Sequence, residues 1–466
     1  MLTPHNDVIA AIATPIGEGG ISVIRVSGDG AVSIVDKNFR GRQALVSVST
    51  HTAHFGLFID AKGNTVDQVV ATVFREPHSY TGEDIVEIGC HGGMYVTQKI
   101  LESVLRSGAR IARAGEFTQR AFLNGQMDLS QAEAVADLVH AQSEASHRAS
   151  LSQLQGGVSE RVRQIRNRLI DLSGLLELGL DFSEEGIDLI DQDRLEASVI
   201  SSITDVQNYL ETYKLGRIAR EGVRVALIGR PNVGKSSIFN SLLNHEKAIV
   251  TSIPGTTRDA IEGNIIIGGI IFTIVDTAGI RKSSDVVEIE GMRRTEMEIQ
   301  KSDVLLLVVD SYSGIINEDI EIFVRAKKIL GNSKSVITVY NKLDIGADYS
   351  DLPLDELSEQ ERCAISAKGQ IGLFELRSNL LRKTLAITTT SSADRSIAIT
   401  NARHRDALEK SKKRLEAALH DLRAGTSMEF VSPSLRMAIA DLGEIIGIVS
   451  SEDVLNRIFS KFCVGK

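Results

Sequence analysis

The sequence is poor in cysteine, in net positive charge and in long apolar runs, and each shortage removes a class of protein. Its 466 residues hold three cysteines, Cys90, Cys363 and Cys463. They lie far apart, with neither C-x-x-C nor zinc-ligand spacing, which excludes a disulfide framework and fits a reducing compartment. A formal net charge of −9 argues against a protein that mainly coats nucleic acid, while leaving room for a local basic face. The longest apolar stretch, residues 265–275, is too short to span a bilayer and has Gly268-Gly269 in its middle. The opening Met-Leu-Thr-Pro-His-Asn-Asp lacks the basic start and apolar core of a signal peptide. These shortages predict a soluble, cytoplasmic chain with no membrane partner, divided into roughly two to four domains.

What is present is organised around Gly229-Arg230-Pro231-Asn232-Val233-Gly234-Lys235-Ser236. This G-x-x-x-x-G-K-[ST] motif follows an apolar strand pattern at 223–228 and precedes a helical one carrying Ile238, Phe239, Leu242 and Leu243. Its glycines let backbone N–H groups close around phosphate oxygens, and the helix N-terminus adds partial positive charge. Lys235 pairs with the β- and γ-phosphates in such a loop, and the Ser236 hydroxyl joins a magnesium ion. Downstream, Asp276-Thr277-Ala278-Gly279 supplies a carboxylate for magnesium and a glycine N–H for the γ-phosphate. Asn341-Lys342-Leu343-Asp344 places a carboxylate that accepts from N1–H and the exocyclic amine of guanine, donors that adenine lacks, so GTP is preferred over ATP. Ser366-Ala367-Lys368 adds a backbone contact to the base, and Ser237, beside Ser236, completes the loop's contacts.

The hydrolytic part departs from the commonest pattern. Ile280 stands after Asp-x-x-Gly, where a glutamine would orient water, and an isoleucine cannot. Thr251-Ser252-Ile253-Pro254-Gly255-Thr256-Thr257 brings a magnesium-binding hydroxyl, assigned to Thr257. Asn232, with Thr251, Ile253 and Thr256, can hold a monovalent cation against the phosphates. Arg258 and Arg281 compete for that charge-stabilising role, and Arg258 equally suits an ion pair with Asp259.

Around this centre the pattern changes twice. Residues 1–125 read as mixed α/β, with strands near 21–26, 66–74 and 85–88 and one helix at 96–105. Glu83, Asp84 and Glu87 near His91 match no metal spacing and read as turn and strand-edge polar groups. From Asp128 amphipathic helices take over. Ser130 to Glu133 reads as a capping box, and stripes run through Leu129, Ala132, Val135, Ala136 and Val139, then through Ile165, Leu169, Leu172, Leu175 and Leu176. After a polar linker at 388–392, helices return with Leu408, Leu415, Leu419 and Leu422, then from Ser432-Pro433, then behind Ser451. The basic run Arg403, Arg405, Lys410, Lys412, Lys413 and Arg414 is either a contact to nucleic-acid phosphates or a solvated helix face. The reading is a multidomain α/β plus α chain: residues 1–125, a helical segment 126–220, a P-loop G domain 221–384 inserted into the bundle, and a helical segment 385–466.

With these motifs in hand, the chain resembles the MnmE (TrmE) family of tRNA-modification GTPases over essentially its full length. The phosphate loop, Pro254-Gly-Thr-Thr-Arg-Asp259, Asp276-Thr-Ala-Gly-Ile-Arg281 and Asn341-Lys-Leu-Asp344 carry the resemblance in the G domain. Tyr80-Thr-Gly-Glu-Asp84, Gly115-Glu-Phe-Thr118, Arg120-Ala-Phe-Leu-Asn124 and the terminal Phe462-Cys-Val-Gly-Lys466 carry it outside. The resemblance implies a Ras-like G domain within a helical bundle, preceded by an α+β folate-binding-like domain through which the chain forms a homodimer. It implies a potassium-activated GTPase. With an FAD-dependent partner of the MnmG type, in a heterotetramer, such an enzyme adds an aminomethyl or carboxymethylaminomethyl group to the wobble uridine of certain tRNAs. A formyl- or methylene-tetrahydrofolate is the implied carbon donor. By position, Asn232, Thr251, Ile253 and Thr256 match potassium ligands, Ser236 and Thr257 magnesium ligands, and Glu288 the water-orienting glutamate, with Glu290 close by. Arg25, Glu87, Gln126 and Lys466 match folate contacts, Gln126 standing where a lysine is found in relatives. Cys463 is the implied nucleophile or redox group of the tail. The competing reading is a ribosome-assembly GTPase switch, against which stand the folate-type motifs, the cysteine tail and the lack of a recognisable Gly-x-x-Gly RNA module near the C-terminus.

Overall fold

Strand alternation and helical stripes set the architecture. The computed structural model describes residues 7–183, 192–244, 261–277, 293, 295–330, 335–345, 362–388, 398–449 and 452–466. Its contacts divide the chain into two units, one of residues 1–139, 153–199 and 413–466, the other of residues 140–152 and 200–412.

The first unit opens with seven strands. They are β1 (Ile9–Ile12), β2 (Ile21–Ser27), β3 (Phe39–Gly41), β4 (Thr52–Ile59), β5 (Thr65–Phe74), β6 (Ile85–His91) and β7 (Arg110–Ile111). Their spatial order is β3-β4-β5-β6-β2-β1-β7, with only the β1–β7 pair parallel. Period-two alternation sends Ile24 and Val26 of β2 to the covered face, where they pack with α1 (Ala31–Asp36) and α2 (Met94–Arg106). Each such buried aliphatic side chain contributes about 2 kcal/mol. The opposite face carries Arg25 and Val23, Glu87 and Gly89, Val70, and Phe55 and Leu57 in cross-strand register.

Behind β1, charged side chains hold the sheet to α3 (Glu116–Leu123). Arg120, 2% exposed, donates to the Asp7 carboxylate at 2.7 Å and to both Glu83 oxygens at 3.2 Å. Arg110 grips Glu116 with two nitrogens, one at 2.9 Å. Burial of the Glu116 carboxyl opposes ionisation, but Arg110, the Arg113 N–H and Arg120 outweigh it and hold the group down to about 2 from an ordinary 4.5.

The helices of this unit follow: α4 (Leu129–Val139), the end of α5 (Glu144–Leu154), α6 (Gly157–Ser183) and the start of α7 (Gln192–Glu211). The cap of α4 is not the expected Ser130–Glu133 box. Asp128 and Gln131 exchange side chain-to-backbone hydrogen bonds at 3.0 Å, two residues earlier, and Ser130 is buried inside the helix. Leu175 also departs from its stripe, 59% exposed while Leu172 and Leu176 are buried. Leucines at 172 and 176 already share one face, and 175 falls beside it.

The second unit begins its core with α8 (Tyr213–Glu221). Its six strands are β8 (Val223–Ile228), β9 (Ile261–Ile267), β10 (Ile270–Asp276), β11 (Val304–Asp310), β12 (Ser335–Asn341) and β13 (Arg362–Ala364), in the order β13-β12-β11-β8-β10-β9. Only β9 is antiparallel, joined to β10 by Gly268-Gly269, both at positive φ as a tight hairpin turn requires. Helices α9 (Lys235–Asn244), α10 (Asn317–Leu330) and α11 (Leu373–Thr388) lie between parallel strands or after them. This is a doubly wound sheet, and strands β8, β11 and β12 are buried nearly throughout.

The chain then runs through α12 (Ala402–Arg423), α13 (Met428–Ile446) and α14 (Glu452–Phe459). In the first unit α13 packs on α6 and α14 on α3. The expected start of α13 at Ser432-Pro433 is displaced: the helix begins at Met428 and continues through Pro433. The Ser451 cap and most of the polar linker lie outside the described residues. Among the described residues no helix is long and apolar enough to cross a membrane.

The stability that ionised Glu116 supplies is complete above its unfolded value of about 4.5 and is lost as pH falls toward 2. Glu116→Gln therefore lowers stability by about 3 kcal/mol at neutral pH and flattens the acid limb of a melting-temperature profile across that window.

Candidate functional site

The loop between β8 and α9 is shaped by backbone that few residues tolerate. Gly229 and Gly234 have φ of 143° and 99°, and Asn232 holds 64° despite its side chain. A Cβ at Gly229 would meet the Val308 carbonyl oxygen at 2.3 Å, and one at Gly234 would meet Asn341 Nδ2 at 2.1 Å. No other residue type fits either position.

Inside this loop, Lys235 Nζ donates to the carbonyls of Gly229 at 2.7 Å and Arg230 at 2.6 Å. Its ammonium is thus held at the loop mouth, 6% exposed overall. Ser236 Oγ donates to Asp276 Oδ2 at 2.6 Å, so two of the three expected magnesium groups, on different elements, already meet. An alcohol and a carboxylate are hard oxygen donors that fit a magnesium ion. Thr277 Oγ1 donates to the Leu227 carbonyl, fastening the end of β10 to β8.

The base-reading motif is fastened to the same loop. Asn341 Nδ2 donates to the Val233 carbonyl at 2.9 Å, and its Oδ1 accepts the Ala367 N–H at 3.0 Å. Ser366 Oγ donates to Asp344 Oδ1 at 2.6 Å. That bond, with help from Lys368 and Lys342, keeps the Asp344 carboxyl below its ordinary range, as a guanine acceptor needs. Lys342, also at positive φ, donates to Asp310 Oδ2 at 2.7 Å. A cavity of about 610 Å³ is lined by Gly229, Asn232, Lys235, Ser236, Ser237 and Thr277, and extends to Glu296 and Arg325. Of the expected nucleotide and metal residues, Thr251 to Thr257, Ala278, Gly279 and Glu288 lie outside the described residues, as do Ile280, Arg258 and Arg281.

The four expected folate residues all belong to the first unit. Arg25 and Glu87 meet directly, with Arg25 Nε and NH2 at 2.9 Å and 2.7 Å from Glu87 Oε1. The Arg25 guanidinium also lies over Tyr80 and Phe117, at 5.1 Å and 5.7 Å from their ring centres. Burial raises the Tyr80 hydroxyl, which hydrogen-bonds Thr118. Gln126 sits against Gly82, two residues from Tyr80. The tail docks on the same sheet: Gly465 is so close to Ile12 that a Cβ there would meet its carbonyl at 2.3 Å, and Gly115 N–H donates to the Cys463 carbonyl. Ile12 follows Ala11, the register partner of Arg25. Lys466 ends this docked turn and Cys463 is exposed, whereas Cys90 and Cys363 are buried.

The other polar groups have structural partners. Glu83 is taken by Arg120, Asp84 by Arg75 and His91 by Asp67, and no metal-binding cluster occurs among the described residues. In the basic run, Arg405 pairs with Asp406 and Glu409 and covers Tyr213, and Arg414 pairs with Asp441. No sequence pattern signals Tyr80 and Phe117 as neighbours of Arg25, or Asp310 as the partner of Lys342, because these contacts join distant segments.

Two family models match this chain. One, described as the GTP-binding protein TrmE N-terminus, matches residues 8–126, and the other, described as the MnmE helical domain, matches residues 129–463. A tRNA modification GTPase MnmE of Salinibacter ruber is 42% identical over 462 residues, 99% of this chain and 100% of that one. The chain belongs to the MnmE family of tRNA modification GTPases. A second MnmE, of Moorella thermoacetica, is 42% identical over 468 residues and covers 99% of this chain and 100% of its own. Membership of the MnmE family makes the chain a GTP hydrolase that works with magnesium.

Asn341→Ala removes the bond to the phosphate loop at Val233 and the bond to the base-contacting segment at Ala367, and leaves the buried Val233 carbonyl and Ala367 N–H without partners. It lowers the stability of the second unit by about 2 kcal/mol, read by thermal unfolding, and weakens GTP binding with it.

Proposed function

We propose that this chain is the GTPase component of a tRNA wobble-uridine modification enzyme, acting in the cytoplasm. The observation that carries the reading is the convergence of Lys235, Ser236 and Asp276 on one phosphate loop that Asn341 ties to the base motif. In this reading Lys235 neutralises the β- and γ-phosphates, Ser236 and Thr257 hold magnesium, and Asp344 selects guanine. Asn232, with Thr251, Ile253 and Thr256, holds potassium, which supplies positive charge to the phosphates as an arginine finger does elsewhere. The amide of Asn232, on a loop residue fixed at φ 64°, suits that role. Glu288 orients the attacking water.

The folate-derived one-carbon unit binds the first unit at Arg25, Glu87, Gln126 and Lys466. The Arg25–Glu87 pair offers a cation beside a carboxylate on an aromatic platform, a setting suited to a pterin and its acidic tail. Gln126 brings no charge to that tail. Cys463, exposed beside the docked Lys466, is the reactive group of the C-terminus. The domain layout is 1–125, 126–220, 221–384 and 385–466, a reading supported by the packing of α6 on α13 from opposite sides of the G-domain segment. A homodimer forms through the first domain. Phe55, Leu57 and Val70, exposed by 66%, 38% and 43% on one sheet face, favour it. The FAD-dependent partner is of the MnmG type, in a heterotetramer, and the substrate is tRNA.

The test is the nucleoside content of tRNA from cells lacking this chain. The aminomethyl and carboxymethylaminomethyl uridines disappear and return when the chain is supplied, but do not return with Asp344→Asn. Unaltered wobble nucleosides in the deleted cells would contradict the reading.

A further inference from the structure

Arg230 lies inside the phosphate loop, yet nothing in the motif's chemistry uses its side chain. Its guanidinium turns away from Lys235 and Ser236 toward the start of α10. Nε donates to Asp319 Oδ1 at 2.9 Å and NH2 to Ser313 Oγ at 3.0 Å. The Asp319 side chain is 1% exposed and that of Arg230 15%. A carboxylate so deeply buried is costly without a fixed counter-charge, so this contact holds one geometry rather than sampling many. The other Asp319 oxygen accepts the Ile316 N–H at 3.2 Å, reaching back from the third helical position to cap α10. One buried carboxylate therefore fixes both the helix start and the loop.

The same short segment grips the base motif at its other end. Ser311 donates to the Asn341 carbonyl through its N–H at 2.9 Å and its hydroxyl at 2.7 Å. Asp310 takes Lys342 Nζ at 2.7 Å and the Tyr312 N–H at 3.0 Å. Residues 310–319 thus form a strap fastened to the phosphate loop at 230 and to the base motif at 341–342.

The backbone of the loop gives Arg230 its leverage. Pro231 follows it and disfavours helical backbone at Arg230. The Arg230 carbonyl is itself one of the two acceptors for Lys235 Nζ. Asn232, two residues on, sits in the left-handed region. A loop with this much unfavourable backbone needs outside anchors to stay in one shape. Asn341 is one anchor. We propose that the Arg230–Asp319 ion pair is the other, and that it positions the phosphate loop for GTP from outside the site. Arginine suits the position because its fork reaches Asp319 and Ser313 together, which a lysine ammonium does not reproduce. The inference rests on the nucleotide-site reading above and adds to it a pair of positioning residues.

The test compares GTP turnover with magnesium by the intact chain, by Arg230→Met, and by Arg230→Met combined with Asp319→Asn. The single variant leaves Asp319 buried without its counter-charge and loses folded protein; the double variant removes both charges and keeps the fold measurable. The expected result is a KM for GTP raised about tenfold in the double variant, while its kcat per folded molecule changes less. A pair that only stabilised the fold would lower the melting temperature and leave KM where it was. A KM within twofold of wild type in the double variant, with wild type active alongside, overturns this inference alone. Absence of turnover in wild type overturns the nucleotide-site reading and this inference together.

Discussion

The nucleotide site depends on holding a short, strained loop in one shape. Gly229, Asn232 and Gly234 all adopt positive φ within six residues. Such a loop has little regular backbone pairing of its own, so its shape is imposed by neighbours: β11 against Gly229, Asn341 on Val233, and the fork of Arg230 on α10. The result is a tethered ammonium beside a serine that already meets its carboxylate. Preorganised charge of this kind is worth more than contacts assembled during reaction, because no reorganisation is needed when phosphate charge develops.

The first unit reaches the same end by different means. Its sheet buries one face under α1 and α2 and leaves the other to carry the Arg25–Glu87 pair and a stripe of exposed apolar side chains. Behind it, Arg120 and Arg110 gather Asp7, Glu83 and Glu116 from segments far apart in sequence. Those ion pairs fix α3 and the turn before it, and the C-terminal tail docks on that turn through Gly115 and Cys463. The tail therefore sits where it does because a buried charge cluster has already placed its dock.

Much of this was legible in residue order alone. The phosphate loop and the apolar strand before it at 223–228 announce themselves because their chemistry is local: a turn that only glycine allows, or an apolar run too short for a helix. Helix ends were harder to read. Ser130–Glu133 has the right spacing for a capping box, but Asp128–Gln131 has it too, and burial of Ser130 decides between them. Pro433 is tolerated inside α13, where a sequence rule places a helix start. Partners across long separations were illegible in principle. Asp319 and Asp310 look like ordinary acidic residues, and Arg405 and Arg414 like free cations, until the fold pairs them.

The central claim is that this loop hydrolyses GTP with the help of a monovalent cation held by Asn232 rather than an arginine. The most direct measurement is GTP turnover by the intact chain in potassium against sodium at equal ionic strength, repeated with Asn232→Ala. The account predicts turnover at least about tenfold faster in potassium, an advantage that Asn232→Ala abolishes. Equal turnover in the two salts would contradict it and transfer the role to Arg258 or Arg281.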